Sequence, residues 1–163
     1  MVQTSLTEDL VDFGDLPEHV NALLQQGVAA HASDPARARA CFRAAIEVAP
    51  AVLPSYRCLF KLQNKLRDFD SAFDTATAGL AQAAAQCAMS LDWQGWTPAQ
   101  RAAAPELPGR FLLQFLKALA FIELRRGNED TSARALAKLE ELDPEDGVGG
   151  SVVAALLAHR EPV

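Results

Sequence analysis

Apolar residues recur along this chain at helical spacings of three and four, in paired runs broken by short polar turns. The clearest pair spans Tyr56 to Leu80. Tyr56, Leu59, Phe60 and Gln63 fall on one face of a first helix. Ala72, Phe73, Ala76 and Leu80 fall on one face of a second, across the polar turn Arg67-Asp68-Phe69-Asp70. Ala72 and Ala76 are small where two helices must approach closely. A hairpin of this size cannot bury both apolar faces alone, so it needs copies of itself on either side. No alternating Val/Ile/Thr run of strand type stands out, and the expected fold class is all-α.

On the N-terminal side, residues 1–15 form an acidic arm carrying Glu8, Asp9, Asp12 and Asp15 with no Lys or Arg, and are expected to lie loose. Leu10, Val11 and Phe13 could anchor it. A single domain is expected over residues 16–160. Pro17 suits the first turn of a helix running to about His31, with Val20, Leu23, Leu24, Gly27 and Val28 on its apolar face. Asp34 ahead of Pro35 predicts the start of a second helix, Ala36 to Ala49, with Ala38, Phe42, Ala45 and Ile46 facing inward.

These landmarks repeat. Ala38-x3-Phe42-x2-Ala45-x4-Pro50 lines up with Ala72-x3-Ala76-x2-Gly79-x4-Ala84, a shift of 34 residues. A later copy begins at Leu116-x2-Leu119-Ala120, turns at Arg126-Gly127-Asn128 and closes with Leu136-x2-Leu139-x4-Pro144. The interval from Gly127 to Pro144 equals that from Ser33 to Pro50, 17 residues. The expected repeats are therefore about 17–50, 51–84 and 111–144, with an insertion over about 85–110. The run AQCAM should prolong the preceding helix, and a capping helix should cover the end of the stack over about 151–160, with Ser151 as its N-cap.

A helix–turn–helix unit with a period of about 34 residues resembles the tetratricopeptide repeat (TPR) family. Tyr56 stands at the family's tryptophan position and Leu59 at its leucine, whereas Phe60 replaces the usual glycine and Gln63 the tyrosine. The resemblance implies a right-handed superhelix of three helical hairpins plus the capping helix. It also implies a concave groove lined by the first helix of each hairpin, holding an extended peptide. Its groove positions fall on Arg57, Cys58, Lys61, Asn64 and Lys65 in the central repeat. They fall on Gln114, Lys117, Ala118, Phe121 and Arg125 in the third, and near Asn21, Leu24, Val28 and His31 in the first. The segments LDW at 91–93, LKALAFIEL at 116–124 and LDPEDGVGGSVV at 142–153 are also similar to short TPR proteins encoded near bacterial nitrogen-fixation genes. That likeness implies an accessory role beside a metalloenzyme system.

Charge sharpens the expectation. The chain of 163 residues carries a formal net charge of −6, which argues against nucleic-acid binding. Yet three of its four lysines, Lys61, Lys65 and Lys117, fall on the groove positions. Arg57, Lys61 and Lys65 follow one another at i,i+4 steps, where like charges repel by about 0.2–0.5 kcal/mol per pair. A stripe that costs stability and faces a groove suits a carboxylate-bearing peptide. The acidic run from Glu8 to Asp15 is a candidate to lie in this groove, in its own chain or in a neighbour, and keep it closed. The plainer reading is a solvated helix face with Asp68, Asp74 or Glu123 nearby.

The remaining chemistry is sparse. Trp93 and Trp96 in the insertion serve either as a partner contact or as a plug between the second and third hairpins. Cys41, Cys58 and Cys87 have no C-x-x-C spacing and read as reduced thiols of a cytoplasmic protein. His19, His31 and His159 form no ligand pair, Gly147 to Ser151 reads as a turn, and no catalytic constellation, metal site or cofactor motif is legible. No apolar run is long enough to span a membrane. The expectation is a non-catalytic adaptor that binds an acidic protein or peptide. The alternative is a structural or assembly protein acting through self-association, for instance as a homodimer.

Overall fold

A computed structural model describes residues 10–159. Among them lie eight α-helices and one 3-10 turn, with no strand, so the chain is all-α. The helices are α1 (Glu18–Ala30), α2 (Pro35–Val48), α3 (Leu53–Lys65), α4 (Phe69–Gln86), α5 (Pro98–Ala103), α6 (Glu106–Arg125), α7 (Glu129–Leu142) and α8 (Gly150–Ala158). They pack largely in chain order: α1 on α2, α2 on α3, α3 on α4, α4 on α6, and α6 on α7. The first helices of the three pairs also touch, α1 with α3 and α3 with α6, and α8 lies against α7 and α6.

Local chemistry sets the helix ends. The Asp34 carboxylate accepts from the Arg37 N–H at 3.1 Å, and Pro35 fills a first-turn position where its missing N–H costs nothing. Asp68 starts α4 in the same way, accepting from the Ser71 N–H at 3.3 Å. The α3–α4 and α6–α7 turns have one geometry. Arg67 and Gly127 both take positive φ, at 60° and 85°. The Asp68 N–H then reaches back to the Gln63 carbonyl at 2.9 Å, and the Asn128 N–H to the Glu123 carbonyl at 2.8 Å. The two turns thus share one backbone geometry.

The core divides into two clusters, and α3 belongs to both. Leu59 and Leu62 join Val20, Leu24, Ala38, Phe42 and Ala45 beneath the first hairpin. Tyr56 and Phe60 face the other way, edge-on to Phe115 of α6 at ring separations of 6.4 and 5.9 Å. A helix buried on two sides is what a hairpin needing neighbours on both flanks requires. The Tyr56 hydroxyl is satisfied by the Pro50 carbonyl at 2.7 Å.

Three expectations need adjustment. The AQCAM run prolongs α4 only to Gln86, because the chain turns at Ala88 with φ of 53°. The third hairpin starts at Glu106, where Pro105 sets the entry and Pro108 still lies in the first turn. The insertion is correspondingly shorter and carries the 3-10 turn Trp93–Gly95 and α5, whose start is closed by a reciprocal Thr97–Gln100 capping box. Finally, Gly149, not Ser151, is the N-cap of α8. Ser151 instead donates its N–H and its hydroxyl to the Asp146 carboxylate, and these bonds hold that carboxyl below its usual range.

Candidate functional site

The positively charged stripe lies where α3 faces its two neighbouring first helices. Arg57, Lys61 and Lys65 are exposed on α3, while Tyr56, Leu59, Phe60 and Leu62 of the same helix are buried. Helical geometry thus turns one sequence period into a charged ridge over an apolar body.

Two depressions flank this ridge. A cleft of about 470 Å³ lies between α1 and α3, floored by Val28, Phe42 and Leu62 and rimmed by His31, Arg57, Lys61 and Lys65. Its remaining wall is the segment before α1, through Val11 and Phe13. A second depression of about 380 Å³ lies between α3 and α6, lined by Arg57, Lys61, Asn64, Gln114, Lys117 and Phe121. Gly147 and Val148, on the loop leading to α8, close its far side. Arg57 and Lys61 border both depressions, one on either side of the ridge.

The cations of the ridge lack a close acid, whereas Lys117 acts on the Asp146 carboxylate of the loop before α8 and helps Ser151 hold it below its usual range. The ion pairs among the described residues join Arg126 to Asp70 and Glu123, and Lys138 to Glu141, and involve none of Arg57, Lys61, Lys65 or Lys117. The acids considered as local neutralisers are engaged elsewhere. Asp68 caps α4, Glu123 binds Arg126 and Asn128, and Asp74 borders a separate depression with Arg43 and Glu47. Lys65 Nζ lies 3.1 Å from His31 Nδ1, a contact that brings it no carboxylate.

The second depression also holds acceptors without donors. Asn64 Oδ1 and Gln114 Oε1 are shielded from solvent and have no hydrogen-bond partner, although both residues line the second depression. An amide oxygen buried in this way costs about 1–3 kcal/mol unless something satisfies it. The second depression therefore has cationic donors at its rim and two shielded, unpaired amide oxygens within its lining. Beside them, burial pushes the Cys58 thiol up to about 11, against the opposing pull of Arg57 and Lys61.

Of the residues singled out in the sequence, Arg57, Lys61, Asn64, Lys117 and Phe121 converge on the second depression, and Lys65 joins the first. Arg125 lines neither and lies over the Phe121 ring, 5.3 Å from its centroid. Leu24, placed near the groove by the family's pattern, is fully buried in the core. In the insertion, Trp96 is 1% exposed and donates its indole N–H to the Ser90 carbonyl at 2.9 Å, so it is a core residue and presents no contact surface. Trp93 is half-buried against the same core.

Sequence reasoning named Val11 and Phe13 as anchors of the arm but missed both the wall at Gly147 and Val148 and the hold that Gln25 has on Val11. Gly147 and Val148 are held by their N–H groups on the Asp143 carboxylate, both at 3.0 Å, a local bond that the glycine-rich run alone did not announce. Gln25, whose carboxamide holds Val11, gave no signal beyond its helical position. Among the described residues no group of His, Cys, Asp and Glu is placed to hold a metal ion, and no helix is long and apolar enough to cross a membrane. No family model, no curated protein and no solved structure matches the chain.

Proposed function

We propose that this chain is a TPR-like interaction module without chemistry of its own, and that it binds an extended acidic segment of a partner protein in the two depressions beside α3, used together as one groove across α1, α3 and α6. The observation that carries the reading is the set of cations beside the two depressions: Arg57, Lys61 and Lys65 stand outside the ion pairs of the described residues, and Lys117 adds a fourth, with Asp146 acting on it. On a chain of net charge −6, such a concentration favours an anionic ligand. Hairpins packed in chain order, with matching turns in the second and third, support the TPR-like superhelix that the 34-residue period implies.

The test is affinity capture from the native cell extract by the wild type and by Lys61→Glu/Lys65→Glu in parallel. One dominant partner, held through an acidic segment by the wild type and lost by a folded variant, supports the reading. Equal capture by both contradicts it.

A second reading, self-association, has its own observation. On α8, Val152 and Leu156 stand one turn apart and are 61% and 42% exposed, an apolar strip at the end of the helix stack. A mass that rises with protein concentration in the wild type but not in Val152→Lys/Leu156→Lys would favour it. An accessory role beside a metalloenzyme system would use one of these two surfaces.

A further inference from the structure

The segment preceding α1 touches the groove in a way that specifies an occupant. The Val11 N–H donates to Gln25 Oε1 at 3.2 Å, and Gln25 Nε2 donates to the Val11 carbonyl at 2.6 Å. A residue presents its N–H and C=O to the same side when its backbone is extended, as in the paired residues of an antiparallel sheet. The Gln25 carboxamide thus acts as a one-residue strand edge that grips backbone and ignores side-chain identity. Asn21 steadies it, accepting from Gln25 Nε2 at 3.2 Å.

Val11 and Phe13, two residues apart, then line the cleft between α1 and α3, and Phe13 packs against the first core cluster. Among the described residues, no ion pair contributes to this seating. Asp12 spends its carboxylate on the Gly14 N–H at 2.9 Å, and Gly14 with φ of 87° turns the chain away toward α1. Neither Asp12 nor Asp15 pairs with the basic stripe. This differs from the expectation that the arm's acids fill the groove. Glu8 and Asp9 lie outside the described residues.

We propose that residues 10–16 are a built-in competitor at the α1–α3 end of the groove. The partner segment that displaces them is extended, with apolar side chains at positions i and i+2 seated over Val28, Phe42 and Leu62 and its backbone held by Gln25. Its acidic residues face Lys61 and Lys65, the contacts that the chain's own segment leaves unmade. The partner thereby gains a charge interaction over the resident segment, which lets it win against a tethered competitor whose effective concentration is of order millimolar. The inference rests on the groove reading above and adds to it the mode of backbone recognition and the self-competition.

The experiment uses full-length protein and a fluorescein-labelled peptide of residues 10–17, LVDFGDLP. Anisotropy titration of the wild type is compared with Val11→Asp/Phe13→Asp, which unseats the chain's own segment. The expected result is binding at least about tenfold tighter by the variant. Adding Gln25→Ala to that variant should abolish the gain, with circular dichroism confirming the fold in each case. As a second measurement independent of the double substitution, Gln25→Ala alone should speed hydrogen exchange at the Val11 amide at least about tenfold. Equal peptide affinity in wild type and folded double variant overturns the inference, as does exchange at Val11 that Gln25→Ala leaves unchanged. Either result alongside an intact Lys61/Lys65-dependent capture would refute self-competition and leave the groove function standing.

Discussion

Arg67 occupies the turn position that Gly127 fills in the next hairpin, and it does so with a Cβ that left-handed backbone disfavours. Replacing it with glycine should therefore raise stability by about 0.5–1 kcal/mol in chemical denaturation. Gly27→Ala should do the reverse despite alanine's better helix propensity. A Cβ there would lie 2.3 Å from Phe42 Cε1, and overpacking of this kind costs about 1–3 kcal/mol against roughly 1 gained from propensity. Cys58 sets a pH dependence. Its folded thiol holds its proton up to about 11 from a usual value of 9.0, so below pH 9 its contribution to stability is complete. As pH rises from 9.0 through about 11 the unfolded chain releases the proton first and stability falls, a decline that Cys58→Ala should reduce in pH-resolved melts. Individual residues were the least legible level in the sequence. The charged stripe could be read because its period is that of the helix. The pairing of Gln25 with Val11 could not, since it joins a helix to a segment with no periodic signal.

At the level of elements, the insertion between the second and third hairpins is the informative case. Its prolines mark both boundaries, yet they do not say that Pro105 opens α6 one and a half turns earlier than the repeat period suggests. Trp96 turns the insertion inward: its ring is in the core, and its carbonyl accepts from Lys138 Nζ of α7 at 2.7 Å. Trp96→Ala should accordingly lower stability by about 3–5 kcal/mol in denaturant titration, as loss of a large buried aromatic does, with a smaller loss for Trp93→Ala. The helices of the three hairpins were legible because apolar spacing, the Asp34 cap and proline punctuation agree with one another, whereas α5 lies in the insertion with no apolar period to announce it. The α8 start was not, since the Asp146 carboxylate draws Ser151 into the first turn and so overrides its capping preference.

At the scale of the whole molecule, stacking is what makes the groove. Arg57 and Lys61 belong to one helix, but they border a basic cleft toward α1 and a mixed depression toward α6 only because α3 is packed between both. The family's repeat marked Arg57, Lys61, Asn64, Lys117 and Phe121, which line the second depression, but also Arg125 and Leu24, which line neither. It did not foretell that the loop over 143–149 and the segment over 10–16 would supply the walls, because both are placed by side-chain-to-backbone bonds to Asp143 and Gln25. The most direct test of the account is a binding titration of a labelled acidic peptide, alternating glutamate and valine, against wild type and Lys61→Glu/Lys65→Glu at low and high salt. The account requires binding that weakens with salt and falls at least about tenfold in the variant, which keeps its helical circular dichroism and melting temperature. Affinity that is the same in both proteins, or indifferent to salt, would contradict it.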